Sequence, residues 1–111
     1  GAIVQSTTSS ATPGNATSVT LTLSAFASTS NMAYGAMWLF SAEAVTNGSG
    51  FTRIYQNNTG EASNMFDCQY KLNDNTVDWS WTSNVTYGAI ALEIAVAGAS
   101  ASNTTNFFAF L

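Results

Sequence analysis

Polarity alternates with a period of two along most of this chain, and that restricts the fold more than any other feature of the sequence. In ATSVTLTLSAF, Val19, Leu21, Leu23 and Ala25 point one way, while Thr20, Thr22 and Ser24 point the other. In NMFDCQYKL, Phe66, Cys68, Tyr70 and Leu72 alternate with Asp67, Gln69 and Lys71; in NTVDWSWT, Val77, Trp79 and Trp81 alternate with Thr76, Asp78, Ser80 and Thr82. FTRIYQN is shorter and less regular, and YGAMWLFSA is almost continuously apolar, which predicts a central strand covered on both sides. Turn-forming clusters punctuate these runs at TPGN, STSN, TNGSG, NNTGEASN, NDN and TSN. About eight strands are expected, near 2–6, 16–25, 34–42, 51–57, 64–72, 76–82, 87–97 and 105–111. The predicted fold is all-β: an antiparallel two-sheet β-sandwich, jelly-roll or immunoglobulin-like, forming one domain over 1–111. Residues 1–15 could be an extended N-terminal arm reaching a neighbour, or a plain lead-in.

Trp79 and Trp81 lie in phase with Val77 and opposite Asp78 and Ser80. A strand with one apolar and one polar face turns the apolar one inward, so both indoles are expected in the core; an exposed glycan platform is the alternative. In AIALEIAVAG, Ile90, Leu92, Ile94 and Val96 read as a core face. The opposite face is Ala89, Ala91, Glu93, Ala95 and Ala97. Small side chains admit a close neighbour: the chain's own second layer, a terminal segment, or another subunit. Glu93 then needs Arg53, Lys71 or a hydroxyl as partner. At the C-terminus, NFFAFL is apolar on both sides of a strand. Phe108 and Phe110 are expected to seal the domain, with Phe107 and Leu111 available to a neighbouring subunit.

The charge content limits the chemistry further. Only 7% of residues are charged and the net charge is −4, with Arg53 and Lys71 the two cations. A nucleic-acid surface needs clustered Lys and Arg, and an anionic membrane surface the same, so neither partner is expected. The longest nearly apolar stretch is too short for a spanning helix and contains Glu93. The chain opens at Gly1 instead of Met, which reads either as a processed N-terminus or as a residue left over from expression. Cys68 has no second cysteine to bridge and reads as a small buried hydrophobe. Without histidine, nucleophile–histidine schemes and the common zinc sites drop out, and the six carboxylates are scattered. LNDNTVD lacks the frame of a calcium loop, so Asn73, Asp74 and Asn75 are expected to form a hairpin turn. No catalytic, metal or cofactor-binding residues are predicted. Five N-x-[ST] sequons occur, at Asn15, Asn47, Asn57, Asn84 and Asn103, and would matter in a glycosylating host.

Taken in order, AIVQSTTSSA, ATSVTLTLSA, YGAMWLF, GFTRIYQNN, MFDCQYKLND, TVDWSWTSN and AIALEIAVAG resemble the small β-sandwich modules of bacteriophage structural proteins and of secreted bacterial surface proteins. The resemblance covers nearly the whole chain and brings no catalytic residues with it. It implies a non-enzymatic virion protein, foremost a capsid decoration (cement) protein that associates with itself and with a major capsid protein. The interface would be Ala89, Ala91, Glu93, Ala95, Ala97, Phe107 and Leu111. Two alternatives stand beside it: a subunit of a secreted filament or cell-surface adhesin, and a carbohydrate-binding module using Tyr34, Tyr55, Tyr87 or the tryptophans.

Overall fold

The computed structural model describes residues 2–57 and 64–96. Among them are six strands and no helix: β1 (Ile3–Thr22), β2 (Met32–Leu39), β3 (Thr46–Asn47), β4 (Thr52–Asn57), β5 (Met65–Leu72) and β6 (Thr76–Ile94). The architecture is all-β and antiparallel throughout, as the alternation requires. The strands join one hydrogen-bonded sheet in the order β1-β6-β2-β5-β4, with β3 paired separately to β6.

Two long strands turn this sheet into a folded object. β1 and β6 pair along their whole lengths, Thr22 opposite Thr76 at one end and Ile3 opposite Ile94 at the other. The register breaks in the middle, between Ala11 and Ser18, where six residues of β6 separate Tyr87 from Ser80. Such bulges bend a ribbon and sharpen its twist. Asn15 adopts a positive φ of 52° at the bend, its side-chain oxygen accepting from Thr86 Oγ1 at 2.9 Å. Trp81 fills the corner, donating from its indole N–H to the Ala16 carbonyl at 2.7 Å and meeting Tyr87 edge-on at 5.8 Å.

Past the bend, the first half of β6 lies over β2. A Cβ on Gly35 of β2 would come within 2.5 Å of Val77 and 2.6 Å of the Trp79 ring, so only glycine allows that approach. Between the layers pack Val19, Leu21, Ala33, Met37, Leu39, Met65, Val77, Trp79 and Ala91. Trp79 is 1% exposed and Trp81 is also buried, which fulfils the core expectation for both. Cys68 is buried and free as expected. The turn at Asn73, Asp74 and Asn75 forms too: Asn73 has a φ of 51°, and the Thr76 N–H donates to Asp74 Oδ1 at 2.9 Å.

Four expectations need correction. Strands expected at 2–6 and 16–25 are one, as are those at 76–82 and 87–97, because the bent ribbon keeps pairing through its corner. Residues 3–11 pair with β6 and are therefore part of the sheet, not an arm. Ile90, Leu92, Ile94 and Val96 are not core: Ile90 and Val96 are exposed and Leu92 and Ile94 half-exposed, while the face Ala89, Ala91, Glu93 lies under the chain's own second layer, as its first alternative had it, with Ala91 and Glu93 at 0% exposure. The small residues make room for the second layer, and the branched ones are left outside. For the same reason β2 is covered on one side only. The expected strand at 105–111, together with Ala97, Phe107, Phe108, Phe110 and Leu111, lies outside the described residues.

Candidate interaction face

Because the second layer covers the small-residue side of β2 and β6, the other side of the larger layer faces outward. Register decides its content. Across the strands, Trp38 sits beside Gly88 and Phe66, Ala36 beside Ile90 and Cys68, Tyr34 beside Leu92 and Tyr70, and Met32 beside Ile94 and Leu72. Tyr55 of β4 adjoins Cys68, its ring 6.5 Å from that of Phe66. Next to Trp38, and 5.5 Å from it between ring centroids, stands Phe40 at 63% exposure. Ala36 and Gly88 floor a shallow groove of about 300 Å³ walled by Trp38, Phe66 and Ile90. On the β1 side the face ends in the hydroxyls of Ser6, Thr8 and Ser10, opposite Leu92, Ile90 and Gly88.

Among the described residues this face carries no charged side chain, because the sheet sends its charges inward or to the rim. Asp67 and Gln69 of β5 are completely buried between the layers. Asp67 accepts from Arg53 Nε at 2.7 Å, Asn47 Nδ2 at 2.8 Å and the Trp79 indole at 3.1 Å. Gln69 donates to the Asp78 carbonyl at 2.8 Å while its own oxygen accepts from Asn47 at 2.7 Å. Lys71 pairs with Asp74 at 2.8 Å beside the turn. Among the described residues no buried polar side-chain atom lacks a partner.

Glu93 resolves differently from the expectation. Neither Arg53 nor Lys71 reaches it; Arg53 is committed to Asp67. Three neutral donors hold it instead: Gln5 Nε2 at 2.6 Å, Asn31 Nδ2 at 2.7 Å and the Ala27 backbone N–H at 2.9 Å. Burial alone would push its pKa up, but these hydrogen bonds outweigh it and leave the carboxyl below its ordinary 4.5. Gln5 also clasps the Ser24 backbone, its Nε2 donating to the carbonyl and its Oε1 accepting from the N–H, so the buried carboxylate anchors the connection between β1 and β2. Its role is structural. On the outer face, the hydrogen bond with Cys68 and then burial raise the Tyr34 hydroxyl above 10.0.

Of the residues expected to make contacts, Ala89, Ala91 and Glu93 are therefore removed from the surface, and Ala95 is half-buried beside the backbone of Ala2. Of the aromatic residues considered for stacking, Tyr87 is buried, Tyr34 half-buried and Tyr55 exposed. The tryptophan on the outer face is Trp38, from the run that read as doubly covered. Its signal in the sequence was the in-phase series Tyr34, Ala36, Trp38, Phe40, set against an opposite series, Ala33, Gly35, Met37, that includes the small residues a second layer needs. Among the described residues no three His, Cys, Asp or Glu side chains come together in a metal-binding group.

Fold and site together define an all-β antiparallel domain with an uncharged aromatic outer face. No family model, curated protein or solved structure matches the chain.

Proposed function

We propose that this protein is a non-enzymatic assembly module, of the kind that decorates and cements a virion shell, and that it associates through the outer face of its larger layer. The observation that carries this reading is the charge-free apolar face around Trp38, Phe40, Phe66 and Ile90. Monomeric soluble domains seldom leave so continuous an apolar surface open unless something packs on it. Among the described residues the polar side chains of the interior are meanwhile satisfied, which suits a structural domain. Localisation on a shell, and a capsid protein as partner, follow from the resemblance in the sequence and are part of the proposal. The interface is relocated from the alanine side of β6 to its branched side.

Immunogold electron microscopy of the native material tests it. Label at regular intervals on particles, lost when Ile90→Glu replaces the wild-type chain, is the expected result; label confined to free soluble protein overturns it. A secreted filament would appear in the same images as label along fibres. The carbohydrate-binding reading has its own observation, the exposed indole of Trp38 whose N–H donates to Asn64 at 3.1 Å. Saccharide titrations that quench Trp38 emission would favour it over assembly.

A further inference from the structure

Resting on that assembly reading, we infer that the outer face first receives a second copy of this chain, in a two-fold, sheet-on-sheet dimer in which each Phe40 enters the other copy's groove. Three features select this occupant. The described residues of this face carry no charge, so they offer nothing to a strongly charged partner and repel no copy of themselves. Its half-exposed rings and branched chains make an apolar patch on the order of 600 Å², comparable to the roughly 800 Å² per partner that a stable specific interface buries. Finally, knob and hole stand side by side on one face. Phe40, 63% exposed, adjoins Trp38, which is itself a wall of the groove floored by Ala36 and Gly88. A two-fold axis passing between an adjacent knob and hole places each knob over the other hole, which is the condition for an isologous contact. No Cβ stands on the floor at Gly88, and a substituent there would meet nothing within 4 Å, so the groove is open to an incoming ring.

Sedimentation equilibrium of the full-length chain, from low micromolar to near-millimolar concentration, tests the pairing. The expected result is a reversible dimer. Phe40→Lys and Ile90→Glu should each weaken it by about 30-fold or more, in line with loss of a central contact. Ser18→Glu, on the exposed side of the other layer, should leave it unchanged. Far-ultraviolet circular dichroism and the emission of the buried Trp79 establish that the variants are folded. Mixing Phe40→Lys with Ile90→Glu should restore association, because the mixed dimer regains one native contact and replaces the other by an opposite-charge pair. A wild-type monomer throughout the range overturns the inference, as does a dimer indifferent to both variants. So does a monomer in which Trp38 resists acrylamide because residues 107–111 of the same chain cover the groove. A monomer that still coats particles through Ile90 overturns the pairing and leaves the assembly reading standing; a dimer absent from every particle and fibre does the reverse.

Discussion

At the scale of single residues, two positions set the terms for the rest. Gly35 lets the second layer close on β2, since any side chain there meets Val77 and the Trp79 ring. Gly35→Ala should cost about 1–3 kcal/mol, the usual penalty for overpacking a tight core, measured as a lower urea midpoint with unchanged slope. Glu93 is the second. Its pKa is lowered in the folded state, so its stabilising contribution is complete above 4.5 and disappears as pH falls through the lower folded value. Asp74, held down by the Lys71 hydrogen bond against the opposing effect of burial, acts with the same sign. Glu93→Gln should cost about 2–4 kcal/mol at neutral pH, because an amide sets its own N–H₂ against the donors of Gln5 and Asn31. The variant should also show a flatter loss of stability between pH 5 and pH 3 than the wild type, checked by denaturant titrations across that range. Neutral donors as the partners of Glu93 were not legible in the sequence. Gln5 and Asn31 lie 88 and 62 residues away from it, and only the folded sheet brings them together.

Strands and their faces were legible to a different depth. Alternation placed Trp79 and Trp81 correctly because their opposite face carries Asp78 and Ser80, which pick out the wet side. β6 beyond Tyr87 offered no such contrast: both faces are apolar apart from Glu93, so size decided where polarity was silent. Alanines went under the second layer because space there is short, and the branched residues were left outside. The polar cluster between β3, β4, β5 and β6 is the element-scale counterpart of Glu93. Asp67→Ala would take a partner from the Arg53 guanidinium, the Asn47 amide and the Trp79 indole at once, and is expected to cost about 2–4 kcal/mol in equilibrium denaturation. The same cluster ranks the sequons. Asn47 spends its amide on Asp67 and Gln69, whereas Asn84 is exposed at the bend. Expression in a glycosylating host should yield glycan at Asn84 and none at Asn47 by peptide mass spectrometry.

For the whole molecule, the division of labour between two sides of one sheet is the organising fact. One side is closed by a layer the chain supplies itself, and among the described residues the other faces outward. Acrylamide quenching should therefore separate the tryptophans, with Trp38 accessible at dilution and protected on association, while Trp79 and Trp81 stay protected throughout. The general antiparallel architecture could be foreseen from alternation, and TPGN and TSN mark where the ribbon bends, but they read as breaks between separate strands and not as a corner through which pairing continues. The pairing of β1 with β6 has one more consequence. It ties Ile3 to Ile94 and Thr22 to Thr76, so no early stretch of the chain can complete its hydrogen bonding with near neighbours. A nascent polypeptide must leave β1 hydrogen-bonded to water until residues 76–80 reach its second half and residues 87–94 its first. Topologies of this sort fold slowly, on the order of milliseconds to seconds. In the cell, the vulnerable hour of this protein is its birth.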